Sequence, residues 1–438
     1  MVEEGEVAGL PLPPQVEAWL DGVLGVENGL AEVLHRLHAI GCRTWLVGGC
    51  VRDVLGGASR APHDVDLAVD MEPAQLLEAF GSRAKDTGST FGTVTLLALN
   101  GEPFQATTLR IDGTYIDGRR PEHVEHTTEL TDDLRRRDLT INAMAIDPVQ
   151  RVLFDHHGGA EDLDNAVLRA VGAPSLRLQE DALRILRVYR FAAGRAPQGA
   201  KWRIESSLRR ALMAERDGLQ RVARERIWHE FFRLLCAPEA WHALWMMHED
   251  GTLPLVLPEG ALAGSGIDVL DGEEGENAGM ERLTLLLAAE DEGRIPVLLR
   301  ELTAPRRTIE RVRKLHRGLL QEPPRSPAQI RLMKHRWGEA WTSHVRVAQA
   351  FETANGGEAW ASASSQIHET PEARAPEALL DGLMIMEATG LQKGERLGRL
   401  KEWLHRVQIE RDIDTSSTML DVLCGIQWSG PFEAWPRM

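Results

Sequence analysis

The chain has 438 residues, with 50 Lys+Arg against 66 Asp+Glu and a formal net charge of −16. That length allows several domains and a sizeable core, and the acidic balance argues against a nucleic-acid coat protein while leaving room for a local basic groove. Four scattered cysteines without a Cys-x-x-Cys point to a reducing compartment and away from zinc, and no apolar run reaches membrane-spanning length, so a cytoplasmic protein with no membrane partner is expected.

Residues 1–29 read as a leader, acidic and broken by prolines, unlike a signal peptide. "ENGLAEVLHRLHAIGC" is an amphipathic helix, with Leu30, Val33, Leu34 and Leu37 on one side and Gly41 as its stop. "RTWLVGG" is a short apolar strand ending in glycines, and "HDVDLAVD" alternates as a second strand. "PAQLLEAF" is a helix, and "GTVTLLAL" and "PFQATTLRI" are strands joined at Asn100-Gly101, a strong hairpin signal. Residues 30–150 therefore read as α+β with a small mixed or antiparallel sheet. Helices dominate from there on, over 151–258 and then over 259–376. Polar linkers interrupt the latter at "PEGALAGSGIDVLDGEEGENAG" and "NGGEAWASASSQIHETPEARAP". A last helical module covers 377–438.

Several stretches carry residues suited to chemistry. Asp64 and Asp66 are two apart on a strand, so their side chains leave one face. Such a pair is either solvated on an edge strand or holds a hard cation such as magnesium. Gly48 and Gly49 end the preceding strand, where glycine lets backbone amides approach a phosphate, and Arg52 lies just beyond, able to bind one bidentately. "LRRRDLTINAMAID" concentrates Arg135, Arg136, Arg137 and Asp138, either a solvated charge run or a triphosphate-binding group. In "EDALRILRVYRF", Asp181 and Arg184 are three apart and are expected on one helix face, with Arg187 and Arg190 continuing that side. The pair is either an intrahelical salt bridge or a donor–acceptor edge that reads a base. In "RERIWHEFFRLL", Glu225, Arg226 and Glu230 read as structural bracing.

Taken in order, these stretches resemble the class II tRNA nucleotidyltransferase and bacterial poly(A) polymerase family, within the DNA polymerase β-like superfamily. "VGGCVRD…HDVDLAV" is similar to its first motif, "TTLRIDGTYIDGRRP" to the second, "RRDLTINAMA" to the third, "EDALR" to the fourth and "RERIWHE" to the fifth. The resemblance implies a nucleotidyltransferase head, then an all-α neck, body and tail that holds tRNA. It implies Asp64 and Asp66 as catalytic magnesium ligands. The implied nucleotide contacts are Gly48, Gly49, Arg52, Asp53, Arg137, Asp138, Asn142, Asp181, Arg184, Arg187 and Arg190. The implied activity is template-independent addition of CMP or AMP from CTP and ATP to the tRNA 3′ end, releasing pyrophosphate, with no obligate protein partner. CC-only or A-only addition, poly(A) synthesis and a catalytically weak tRNA-binding protein are the alternatives. Gln105 stands where the family often has a third carboxylate. Arg83 to Leu97 occupies the place of the family's flexible loop, which mildly favours addition of A.

Overall fold

The computed structural model of the chain describes residues 9–25, 29–57, 65–88, 92–112, 124–258 and 260–425. Asp64, the leader before Gly9 and residues 113–121 of the second motif lie outside them.

The strands up to residue 154 are β1 (Leu10–Pro11), β2 (Thr44–Val47), β3 (Asp66–Val69), β4 (Ala84–Gly88), β5 (Thr93–Leu97), β6 (Pro103–Thr108), β7 (Arg110–Asp112), β8 (Val124–His126), β9 (Ala145–Asp147) and β10 (Val152–Phe154); a short parallel pair, β11 (Val167–Leu168) and β12 (Arg203–Ile204), follows. Eight of these form one mixed sheet in the order β1-β10-β9-β2-β3-β6-β5-β4. Only β3 and β6 run parallel within it. Residues 10–11, read from sequence as part of a leader, are thus its edge strand. The expected hairpin forms between β5 and β6, with Gly101 at φ +86° and Ala98 donating to the Glu102 carbonyl. "PFQATTLRI" is not one strand. It leaves the main sheet after Thr108, and β7 pairs with β8 in a separate ribbon. The stretch read as a flexible loop contributes β4 and β5, which pair antiparallel at the sheet edge; residues 89–91 between them lie outside the described set.

Helices in the same unit are α1 (Pro14–Val23), α2 (Gly29–Ala39), α3 (Gly49–Leu55), α4 (Pro73–Phe80), α5 (Leu130–Arg135), α6 (Gly159–Asp164), α7 (Pro174–Glu180), α8 (Arg184–Ala192), α9 (Ser206–Glu215), α10 (Arg224–Leu235), α11 (Ala240–Glu249) and α12 (Leu253–Val256). The stripe expected on α2 is buried: Leu30, Val33, Leu34 and Leu37. On one face of the sheet Trp45, Val47, Ala68 and Ala145 pack against Leu130 and Leu134 of α5. Each fully buried large apolar side chain contributes about 1.5–3 kcal/mol. That contact anchors α5, and α5 carries the arginine run to the sheet.

The chain divides into two compact units. The first is 1–260, 271–279 and 298–305, and the second is 261–270, 280–297 and 306–438. Helices α13 (Glu276–Leu286) and α14 (Ile295–Glu301) contribute residues to both. The second unit continues with α15 (Arg306–Gly318), α16 (Pro327–Trp337), α17 (Trp341–Ala354), α18 (Ala359–Glu369), α19 (Gly382–Thr389), α20 (Glu395–Arg411) and α21 (Ser416–Cys424). Helix α18 falls where the sequence reads as a polar break. Its Trp360 and Ile367, seven apart, are both buried and pack with Ile330, Val345 and Ala348. Two anchors on one face suffice to fix a helix whose remaining residues are polar. The last module closes on Leu380, Ile385, Leu397, Leu400, Leu404 and Met419, with Asp381 and Thr415 capping the first turns of α19 and α21.

Candidate active site

A cleft of about 670 Å³ opens over the face of the sheet that α5 partly covers. Register puts its floor together: Val47 pairs with Asp66, and Asp66 pairs with Gln105. Paired residues point to the same side, so Asp66 and Gln105 stand next to each other in the cleft floor. Gln105 is thus the direct neighbour of Asp66 across β3 and β6.

Gly48 links β2 to α3 with φ +79° and ψ −133°, a conformation open essentially to glycine alone. A Cβ there would project into the gap between the Asp66 carboxylate, 3.7 Å away, and the Arg137 guanidinium, 3.8 Å away. Glycine meets the backbone's requirement there and leaves that gap free of a side chain.

Arginines line the walls, and neighbouring carboxylates fix their directions. Asp133, whose side chain is 3% exposed, accepts from Arg136 at 2.6 Å and Arg137 at 3.0 Å. Those guanidiniums hold its carboxyl below the ordinary range against the upward push of burial. Arg137 also donates to the Asn142 carbonyl. Arg52 donates to Asp53 through Nε and Nη2 and to the Asn142 side chain through Nη1. Asp53 and Asn142 therefore act here by orienting Arg52, and Asp53 does not line the cleft.

Asp138 accepts from the Leu139 amide, Asn142 Nδ2 and Arg187. Burial alone would raise its carboxyl, but Arg187 at 2.7 Å and these hydrogen bonds bring it down to about 2. Arg190 donates to Glu230 at 2.6 Å.

The fourth motif departs from its expected form. Asp181 and Arg184 do not share a helix. Helix α7 ends at Glu180, Asp181 is extended at φ −143°, and α8 begins at Arg184. The cause is local: the Asp181 carboxylate accepts the Leu183 amide, and its carbonyl accepts the Arg184 amide. Such side-chain bonds compete with the helical ladder. No Asp181–Arg184 salt bridge forms. Asp181 pairs with Arg226 at 2.7 Å, and Arg184 pairs with Glu180 while donating to the Arg136 carbonyl. Both nevertheless line the cleft.

The cleft thus gathers Gly48, Gly49, Arg52, Asp66, Arg137, Asp138, Asn142, Asp181, Arg184 and Arg187. Arg190 and Asp53 line an adjoining cavity instead. Arg226 and Glu230, read as bracing, do brace, yet they also form part of the cleft wall. Asp133, Phe191 and Thr107 were not singled out in sequence. Their i, i+4 spacing put Arg226 and Glu230 on one helix face, but their place in the cleft comes from the packing of α10 against α8. Among the described residues the cleft wall holds no cysteine or histidine. Its metal-capable donors are hard oxygens, which suit magnesium rather than zinc.

Residues 44–169 match the family model "Poly A polymerase head domain". Residues 202–263 match a second model, "Probable RNA and SrmB- binding site of polymerase A". The chain is 39% identical over 211 residues to a CCA-adding enzyme of Lactobacillus helveticus, covering 48% of this chain and 50% of that protein. A CCA-adding enzyme of Streptococcus sanguinis is 37% identical over 251 residues, 57% of each chain. The chain spans about half the length of the curated relatives it matches. The fold as a whole is similar to that of the Bacillus stearothermophilus CCA-adding enzyme in complex with CTP, at TM-score 0.71 and 24% identity, covering 94% of this chain and 98% of that one. It is also similar to the Thermotoga maritima CCA-adding enzyme complexed with tRNA, at TM-score 0.62 and 19% identity, covering 94% and 98%. The mixed-sheet head with helices after it is the architecture expected from the sequence. Among the described residues, no helix is long and apolar enough to cross a membrane.

Proposed function

We propose that the chain is a tRNA nucleotidyltransferase that adds CMP and AMP to the tRNA 3′ end from CTP and ATP. The observation that carries this reading is the cleft itself. A glycine-only turn at Gly48, a carboxylate at Asp66 and a set of pre-aimed arginines converge on one space. The naming of relatives as CCA-adding enzymes supports the choice of tRNA and of these two nucleotides.

In this reading Asp64 and Asp66 hold magnesium, which lowers the pKa of the acceptor hydroxyl and neutralises phosphate charge. Gln105 adds a neutral oxygen beside Asp66. The chain's own groups do the rest. Arg52 and Arg137 bind the triphosphate, their directions set by Asp53, Asn142 and Asp133. Asp138 fixes Arg187 and accepts from the ribose. Asp181 and Arg184 present acceptor and donor edges to the base, standing in for a template. The 3′ hydroxyl oxygen gives up its proton to solvent and forms a bond to the α-phosphorus in line, while the bond from that phosphorus to the oxygen bridging to the β-phosphate breaks, releasing pyrophosphate.

The test uses tRNA lacking its terminal CCA, magnesium and one labelled nucleotide at a time. CTP alone is incorporated, ATP alone is not, and AMP is added once CMP is in place. Asp66→Asn lowers incorporation at least a thousandfold while circular dichroism is unchanged. Undiminished incorporation by that variant would contradict the assignment of Asp66.

A further inference from the structure

Helices α8 and α10 pack together and both run out of the main cleft. On α8, Arg184, Arg187 and Arg190 recur every three residues; on α10, Arg226, Glu230 and Arg233 recur at four and three. The first members of each series line the main cleft. Arg190 and Arg233 line a second cavity of about 430 Å³. The two cavities share Arg52 and Phe191 as a common wall. Arg52 and Arg190 lie over the Phe191 ring at 5.2 and 4.5 Å, so the partition between the cavities is cationic on its polar side.

The charge balance of the two spaces differs. The main cleft sets six arginines against five carboxylates. The second cavity is lined by Arg52, Arg190, Arg195 and Arg233; Asp53 is committed to Arg52 and Glu230 to Arg190, which leaves Arg195, donating to the Gly272 carbonyl, and Arg233 without a carboxylate. Arg233 is exposed and makes no hydrogen bond or ion pair among the described residues. Burial, together with Arg187 and Arg233, holds the Arg190 guanidinium below its ordinary value even with Glu230 beside it. Two arginines without a carboxylate partner at one cavity suit an anion.

We infer that this cavity receives inorganic pyrophosphate as it leaves the main cleft. The inference rests on the transferase reading above. With Asp181 and Arg184 at the start of α8 and Arg187 one turn on, a nucleotide lying along that helix would bring its phosphates to the wall that Arg52 and Phe191 share with the second cavity. In-line transfer expels the β- and γ-phosphates on the side away from the attacking oxygen. The space that adjoins the main cleft through Arg52 and Phe191 is the second cavity. The chemistry it recognises is a compact polyanion; the phosphodiester of an acceptor strand shares that chemistry and is separated from it by the test.

The variant is Arg233→Glu, with Arg233→Gln as a second that removes charge without reversing it. Two measurements are made: calorimetric binding of inorganic pyrophosphate with magnesium, and inhibition of CMP incorporation by added pyrophosphate. Both are expected to weaken at least tenfold, with the KM for CTP moving less than twofold. Unchanged pyrophosphate affinity would overturn the inference. So would a raised KM for the RNA acceptor with a shallower salt dependence, which assigns the cavity to the RNA strand. If the wild-type chain incorporates no nucleotide, the transferase reading fails, while calorimetry still decides whether the cavity takes pyrophosphate.

Discussion

Asp138 shows how single residues organise this site. Its two carboxylate oxygens tie together the third motif's backbone, Asn142 and Arg187 of α8. Through Asn142 it also bears on Arg52. Asp138→Asn keeps the shape but turns an amide donor or a weaker acceptor toward Arg187. Breaking a buried pair by changing one partner costs about 3–5 kcal/mol. Urea unfolding of the variant should show a loss in that range. The pH dependence comes from a folded-state pKa near 2, below the ordinary value of 3.8. The stabilisation is present above that ordinary value and is lost as pH falls through about 2. Asp138 therefore contributes no change in stability between pH 7 and 5.

At the scale of elements, the sequence carried most of what was needed where periodicity and turn chemistry coincide. The α2 stripe, the β5–β6 hairpin at Asn100-Gly101 and the glycines after β2 are local signals, and each forms as read. It misled where one side chain outcompetes a pattern. "QEDALRILRVYRF" has unbroken helical spacing, yet the Asp181 carboxylate captures the Leu183 amide and splits it into α7 and α8. The reverse occurred at α18, where Trp360 and Ile367 outweigh a polar composition. The site's supporting ion pairs were the least legible. Arg226 and Asp181 are 45 residues apart, and Arg190 and Glu230 are 40 apart. No local rule joins such partners, and only the packing of α8 against α10 does. Gln105 is intermediate: its place beside Asp66 was suggested by motif order and is fixed by the parallel register of β3 and β6.

At the scale of the whole molecule, the two units carry different acid sensitivities. In the second unit His344 stacks on Trp337 with ring centroids 3.9 Å apart and meets Trp360 edge-on at 5.1 Å. Both its ring nitrogens are buried without hydrogen-bond partners among the described residues. Burial, with Lys314 nearby, lowers its pKa from 6.5 to about 4. A histidine held below its ordinary value favours the folded state when neutral. Stability is full above pH 6.5 and falls as pH drops toward 4, by about 2 kcal/mol at pH 5. Thermal unfolding should show the second unit's transition moving down between pH 7 and 5, and His344→Phe should flatten that dependence. An equally steep dependence in the variant would exclude His344 as its source. What the chain makes is tested most directly by the 3′-end sequence of its product. Given tRNA ending before its CCA, with CTP, ATP and magnesium together, the expected product ends in CCA with no further extension. An unextended tRNA, or an open-ended run of A, would contradict the assignment.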